Sequence, residues 1–287
     1  MAGEKYVSWT LFVASLVLVI AATAQTKPQT AKKAAPPRKP AVSEKTRPPL
    51  EPKALEILKA ASDRLASART LSFTALETYE SASRQGHPLV FVNKSEVTLQ
   101  RPDKLRVIMP GDGPASEFYY DGKSMMAFAP AENLLATAAA PPSIDAALEA
   151  AYHSAAIYFA FTDLIVADPY KDLAPGLQLA YYIGQSRMVG ETTTDMVAYI
   201  GDGVFVQMWI GADDKLPRCI HAVYLDDPEQ LRHNLLISDW RLDSDVPADT
   251  FAPPNLVSAK RIQFAHPHPE PPPGARPAAK LKPTKTN

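Results

Sequence analysis

Three groups of side chains in this sequence have types and spacings that invite chemistry. Asp213-Asp214 and Asp226-Asp227 offer paired carboxylates for calcium binding or acid–base work, and His266-Pro267-His268 with Glu270 offers ligands to a metal ion. Each has a plainer role. Aspartates beside turns accept hydrogen bonds from local backbone N–H groups, and two histidines in a proline-rich stretch make a weak, open metal site. Asp195, Asp239 and Arg241 are the residues a hydrolytic cluster would draw on, and no spacing ties them together. His153, His221 and His233 are scattered over different elements and read as ordinary packed or exposed histidines. The sequence contains no Gly-x-Ser-x-Gly elbow, phosphate-binding loop, dinucleotide fingerprint or His-Glu-x-x-His pair. The expectation is a protein without catalytic residues, resident metal or cofactor.

Apolar chemistry is better represented. Phe73, Phe91, Phe118, Tyr120, Met126, Phe128, Met208 and Trp209 fall on candidate strands that a bent sheet can turn toward a hollow, as the lining of a ligand cavity. Methionine suits such a lining because its side chain adapts to irregular shapes. Plain core packing is the competing role for every one of the eight. Cys219 is the only cysteine, so an intramolecular disulfide is excluded; in its apolar stretch it reads as a small buried hydrophobe.

The elements that must position these residues follow from periodicity. Leu55, Leu58, Ser62 and Leu65 recur at helical spacing, with Glu51-Pro52 suited to the first turn, and predict an amphipathic helix of about five turns. Beyond Arg69 the period becomes two. Strands are expected over 71–79, 89–100 and 105–109, then a hairpin of 117–120 and 123–128 around Asp121-Gly122, with a further strand over 133–137. Ser143 is a candidate cap for a helix whose apolar face runs through Ile144, Ala147, Leu148 and Ala151 toward Phe161 and Leu164. Six more strands are expected over 177–183, 185–189, 194–200, 204–211, 218–225 and 231–242. Both faces of 204–211 carry large apolar groups, so something must cover part of each face. Nine to eleven antiparallel strands are too many to stay flat. The expected fold is α+β, a curled antiparallel half-barrel with helices covering its concave side.

The two ends of the chain differ from this body. Lys5, an apolar run over 11–22 and the triplet Ala22-Thr23-Ala24 read as a secretory signal over 1–24, cleaved after Ala24, which implies a periplasmic protein. Residues 25–50 hold seven basic side chains against one acidic, and 259–287 hold six against one. The segment between them holds 16 basic and 28 acidic side chains. Both ends are proline-rich and are expected to be disordered, over 25–50 and 266–287, flanking one domain over 51–265. As basic tails they suit an anionic membrane surface or cell wall; as solvated spacers they need no partner. Nucleic acid does not suit an exported protein with an acidic body.

Gln100-Arg101-Pro102-Asp103-Lys104-Leu105-Arg106, and Tyr119-Tyr120-Asp121-Gly122-Lys123-Ser124 with Phe128-Ala129-Pro130, resemble motifs of the LolA/LolB/RseB group of lipoprotein carriers and sensors. Asp168-Pro169-Tyr170, Val189-Gly190, Gln207-Met208-Trp209-Ile210, Leu216-Pro217-Arg218, Asp239-Trp240 and Phe251-Ala252-Pro253-Pro254 resemble a family of periplasmic proteins of unassigned function, over about residues 51–264. The chain departs from that family's pattern at Asp195-Met196, where a histidine is usual beside the aspartate. The resemblance implies an unclosed barrel and a periplasmic compartment, and the function preferred for such a hollow is a non-enzymatic carrier of a lipid, acyl chain or lipoprotein. Its alternatives are a sensor module that binds an envelope protein and, third, a hydrolase.

Overall fold

The computed structural model describes residues 49–111, 115–253 and 258–265. The signal segment, the histidine pair at 266 and 268 and nearly all of both basic tails lie outside the described residues.

Proline at the first position starts α1 (Pro52–Ser67), which buries Ala54, Leu58, Ala61, Ser62 and Leu65 along one stripe. β1 (Thr70–Ser81) and β2 (Leu89–Gln100) form a long hairpin, and β3 (Lys104–Met109), β4 (Ser116–Tyr120), β5 (Ser124–Ala129) and β6 (Leu134–Ala139) continue the meander with short strands. Asp121 closes the β4–β5 turn by accepting from the N–H groups of Lys123 and Ser124. After α2 (Ile144–Ala155), α3 (Thr162–Ile165) and α4 (Pro169–Leu173) come β7 (Leu177–Ser186), β8 (Thr194–Gly201), β9 (Val204–Gly211), β10 (Pro217–Tyr224), β11 (Arg232–Leu242) and the short β12 (Lys260–Ile262). β1 joins the two meanders by pairing with β11.

The sheet therefore runs β12-β6-β5-β4-β3-β2-β1-β11-β10-β9-β8-β7, antiparallel except where β12 lies parallel to β6. It curls without closing, one edge ending at β7 and the other at β12. The β7 edge is partly covered: Pro49 and Glu51 exchange backbone hydrogen bonds of 2.8 Å with Ala180. Apolar side chains of alternate residues and the helices share one continuous core on the inner face. Arg101 fastens the helices to the β2–β3 turn, donating to the carbonyls of Ile165 (3.1 Å) and Val166 (3.0 Å), with Leu65 O at 3.4 Å.

Several expectations are corrected. The helix capped by Ser143 stops at Ala155, because Ala156 turns left-handed (φ 53°), so Phe161 and Leu164 belong to a separate turn and to α3. The stretch 177–183 and the start of 185–189 form one strand ending at Ser186, with Gly184 (φ 145°) at an irregularity in the register with β8, and residues 187–189 bend out of it. The parallel β12 and the short α4 have no periodic signal and were not expected; β12 brings the sheet to twelve strands. β11 also carries a bulge. Asp239 (φ 57°) and Trp240 together oppose Phe73 of β1, which shifts the alternation and sends Trp240 inward.

Candidate binding site in the hollow

The inner face has three zones. At its centre an aromatic series fills the space: Trp240 and Phe73 have ring centroids 4.6 Å apart, Phe73 and Phe161 5.5 Å, Phe161 and Phe159 5.4 Å, and Phe159 and Phe118 5.5 Å. These rings come from β1, β4, β11 and the α2–α3 connection, and they tie the helices to the sheet.

Beyond Phe118 and Phe159 the space opens into a cleft of about 250 Å³. In-register pairs Phe118↔Ala127 and Ala127↔Ala136 build its floor, and Ile157 and Phe159 overhang it. Small side chains at 127, 129 and 136 create the room, since larger groups there would reach the overhang. Ile262 of β12 borders the opening. Glu117 also borders it, but its carboxylate accepts from Tyr119 Oη (2.7 Å), whose own side chain belongs to the outer face. Burial and that carboxylate push the Tyr119 hydroxyl up to about 12.

The opposite end of the hollow has different chemistry. Pairing places Phe91, Tyr79 and His233 side by side across β2, β1 and β11. The Phe91 and Tyr79 rings stack at 5.5 Å, and Tyr224 meets His233 edge-on at 5.3 Å. Glu77, two residues along β1, brings Oε1 to 3.7 Å from His233 Nδ1. Burial raises the Glu77 carboxyl and lowers the His233 imidazole, so near neutrality the two do not form an ion pair.

Of the eight expected lining residues, Phe118 lines the cleft, while Phe128 borders it from β5 but packs its ring with Tyr119, Met126 and Leu135 on the outer face. Phe73, Tyr120 and Met208 are buried in the inner core, where the Tyr120 hydroxyl donates to Pro141 O at 2.6 Å. Phe91 stands at the far end, 44% exposed. Met126 and Trp209 lie on the other side of the sheet: Met126 packs with Tyr119 and Leu135, and Trp209 pairs across β9 with Met196 and Cys219. Strand alternation places them there, opposite their buried neighbours Met125 and Met208. Sequence reasoning passed over Met109, Ala127, Leu134, Ala136 and Ile157. The hairpin register around Asp121-Gly122 was the available signal for Ala127, while Ala136 depends on the separate β5–β6 pairing.

The polar candidates serve local structure. Asp214 accepts from Leu216 N (3.1 Å) and pairs with Arg218, and Asp227 accepts from Glu229 N (3.0 Å). Asp195 on β8 accepts from Tyr182 Oη, while Asp239 lies on β11 with β9 and β10 between them, so the three-residue hydrolytic cluster does not assemble. Burial pushes the Cys219 thiol up to about 11, which leaves it protonated and poorly nucleophilic. Among the described residues no group of three or more His, Cys, Asp or Glu is placed to hold a metal ion, and no helix is long and apolar enough to cross a membrane.

A family model covers residues 54–265, nearly the whole described region. The chain belongs to the family described as Predicted periplasmic protein (DUF2092). That description agrees with the compartment read from the amino terminus. No curated protein matches the sequence. Among solved structures, LprF from Mycobacterium bovis is 15% identical with a TM-score of 0.43, the match covering 72% of this chain and 98% of LprF. MucB is 14% identical with a TM-score of 0.41, the match covering 71% of this chain and 63% of MucB. A LolA superfamily protein from Nitrosomonas europaea is 11% identical with a TM-score of 0.34, over 70% of this chain and 97% of that one. Likenesses this distant say nothing of the ligand or mechanism of this DUF2092 member.

Proposed function

We propose that this protein is a non-enzymatic binding or carrier protein of the cell envelope that holds a single acyl chain, free or as part of a lipid or lipoprotein, in the cleft under β3–β6. The observation that carries the reading is the apolar, open-mouthed cleft of about 250 Å³ floored by Phe118, Ala127 and Ala136 and overhung by Ile157 and Phe159. Its volume is just below the range of pockets for drug-sized ligands, which suits one chain segment better than a multi-chain lipid. Each methylene withdrawn from water contributes about 0.8 kcal/mol before the cost of association is deducted. No acid, base or nucleophile is required.

Native mass spectrometry of protein purified from cell envelopes, with palmitate displacement of a fluorescent naphthalene probe, tests this. The expected result is a co-purifying acyl adduct in wild type that is lost when Ala127→Trp fills the cleft. Protein that purifies without lipid and neither binds the probe nor releases it to palmitate overturns the reading.

One observation favours a protein-interaction role as second reading. Residues Leu89 to Ser95 of β2 pair with β1 on one side and with no described strand on the other. Leu89, Val90, Phe91 and Val92 are all exposed there, Val90 at 60%. A free apolar edge of this kind accepts an added peptide strand. Crosslinking from a photoreactive residue at position 90 in envelope extracts tests it, and an absence of any adduct counts against it.

A further inference from the structure

The end of the hollow away from the acyl cleft combines aromatic faces with carboxylates that lack a cation. Phe91 and Tyr79 present a stacked pair of rings, their planes within 22° of each other, with Phe91 open to solvent. Tyr224 adds a third ring against His233. From above, Tyr158 of the α2–α3 connection is 52% exposed, yet burial raises its hydroxyl pKa, with further contributions from Asp163, Tyr224 and Glu77. Tyr158 is thus solvent-accessible and close enough to Tyr224 and Glu77 to feel their charge. Asp163 is raised in the same way, by burial first and then by Asp172.

The charges here are one-sided. Glu77 keeps a side chain only 20% exposed, and among the described residues no lysine or arginine pairs with it. The nearby Glu80 is different: it is gripped by Arg232 through the guanidinium and the backbone N–H. A desolvated carboxylate flanked by ring faces is an unmet demand for positive charge, because both the negative charge and the ring quadrupoles attract a cation. A hard metal ion is a poor occupant, since no set of three ligating side chains converges there. A weakly hydrated organic cation, which loses little by leaving water, fits both the rings and the carboxylate.

We propose that this end of the hollow, formed by Glu77, Tyr79, Phe91, Tyr158, Tyr224 and His233, is a second binding site, specific for a quaternary or alkylated ammonium group. The site is independent of the acyl cleft, from which the aromatic series through Phe73 and Phe161 separates it. The same chemistry is carried by a free solute and by a phospholipid headgroup.

Saturation-transfer NMR of the choline methyl signal with the full mature chain tests the proposal, with 3,3-dimethyl-1-butanol as the neutral isostere. Choline is expected to bind at least tenfold more tightly than the isostere. Phe91→Ala and Glu77→Gln are each expected to weaken it by roughly three- to thirtyfold, the span of an aromatic–cation contact. Phe91 is exposed, so its variant keeps the fold and the test does not depend on Glu77→Gln folding. Co-flotation with phosphatidylcholine vesicles that free choline abolishes identifies a headgroup as the source; choline binding without co-flotation identifies a free solute, and both support the site. Equal binding of choline and its isostere, no binding of either at millimolar concentration, or unchanged affinity in Phe91→Ala overturns it. Because Ala127→Trp leaves this end untouched, choline binding survives there, which separates failure of this site from failure of the acyl cleft.

Discussion

The two ends of the hollow are lined from the same face of one sheet, yet one is an apolar cleft and the other an acidic, aromatic bay. Uneven cover of that face accounts for much of the difference. α1 packs against β7 and β8 and leaves the far ends of β1 and β2 uncovered by it. β3–β6 have only five or six residues each, and Ile157 and Phe159 overhang part of them, so their inner face stays dry. At the far ends of β1, β2 and β11 the inward positions are only partly covered: Phe91 is 44% exposed, and the Glu77 and His233 side chains are 20% and 28% exposed. Glutamate, tyrosine and histidine can occupy those positions because burial is incomplete. Uneven cover of one face thus converts a single alternating pattern into two chemistries.

The wall between the ends is the sharpest place to break this comparison. Phe73→Ala removes a buried ring that touches both Trp240 and Phe161, and is expected to cost about 3–5 kcal/mol in urea denaturation. A loss below about 1 kcal/mol would show that the ring series is not what holds the helices to the sheet. Arg101→Met comes next. It strips the carbonyls of Ile165 and Val166 of their donor and is expected to cost about 2 kcal/mol by the same measurement.

The bay alone should show an unusual pH response. Burial raises the Glu77 pKa in the fold above its unfolded value, so the folded state holds that proton more tightly and stability falls as pH rises through the carboxylate range. Glu77→Gln should therefore gain stability relative to wild type between pH 3.5 and pH 7, read as a shift in urea midpoint; an equal gap at both pH values contradicts it. His233 works in the opposite sense. Its lowered pKa makes the fold resist protonation, so its contribution is complete above about pH 6.5 and is lost on acidification. The smallest effect is expected from Glu80→Gln, under about 1 kcal/mol, because its partner Arg232 is more than half exposed. A larger loss would mean that the rim of the bay is held by charge.

Much of the architecture was legible because its signals are local. The stripe of Leu58, Ser62 and Leu65 marks α1, the alternation marks β1 to β5, and Ser143 caps α2 by accepting from Ala146 N. Ser143 could not reveal where that helix ends, since Ala156 is an ordinary residue driven left-handed by its surroundings. The candidate site was legible only in kind. Aromatic and methionine residues on strands were assigned to the hollow by type, and strand parity turns Met126, Phe128 and Trp209 away from it.

By itself, the sequence determined the α+β class, the order of the elements and the division into acidic body and basic ends, because periodicity, turn chemistry and charge are written residue by residue. Tertiary structure alone decided which alanines open a cleft, that a bulge at Asp239 carries Trp240 to Phe73, and that Glu77 meets His233. Those outcomes depend on register between strands distant in the chain, and a shift of one residue reverses the face of every side chain involved.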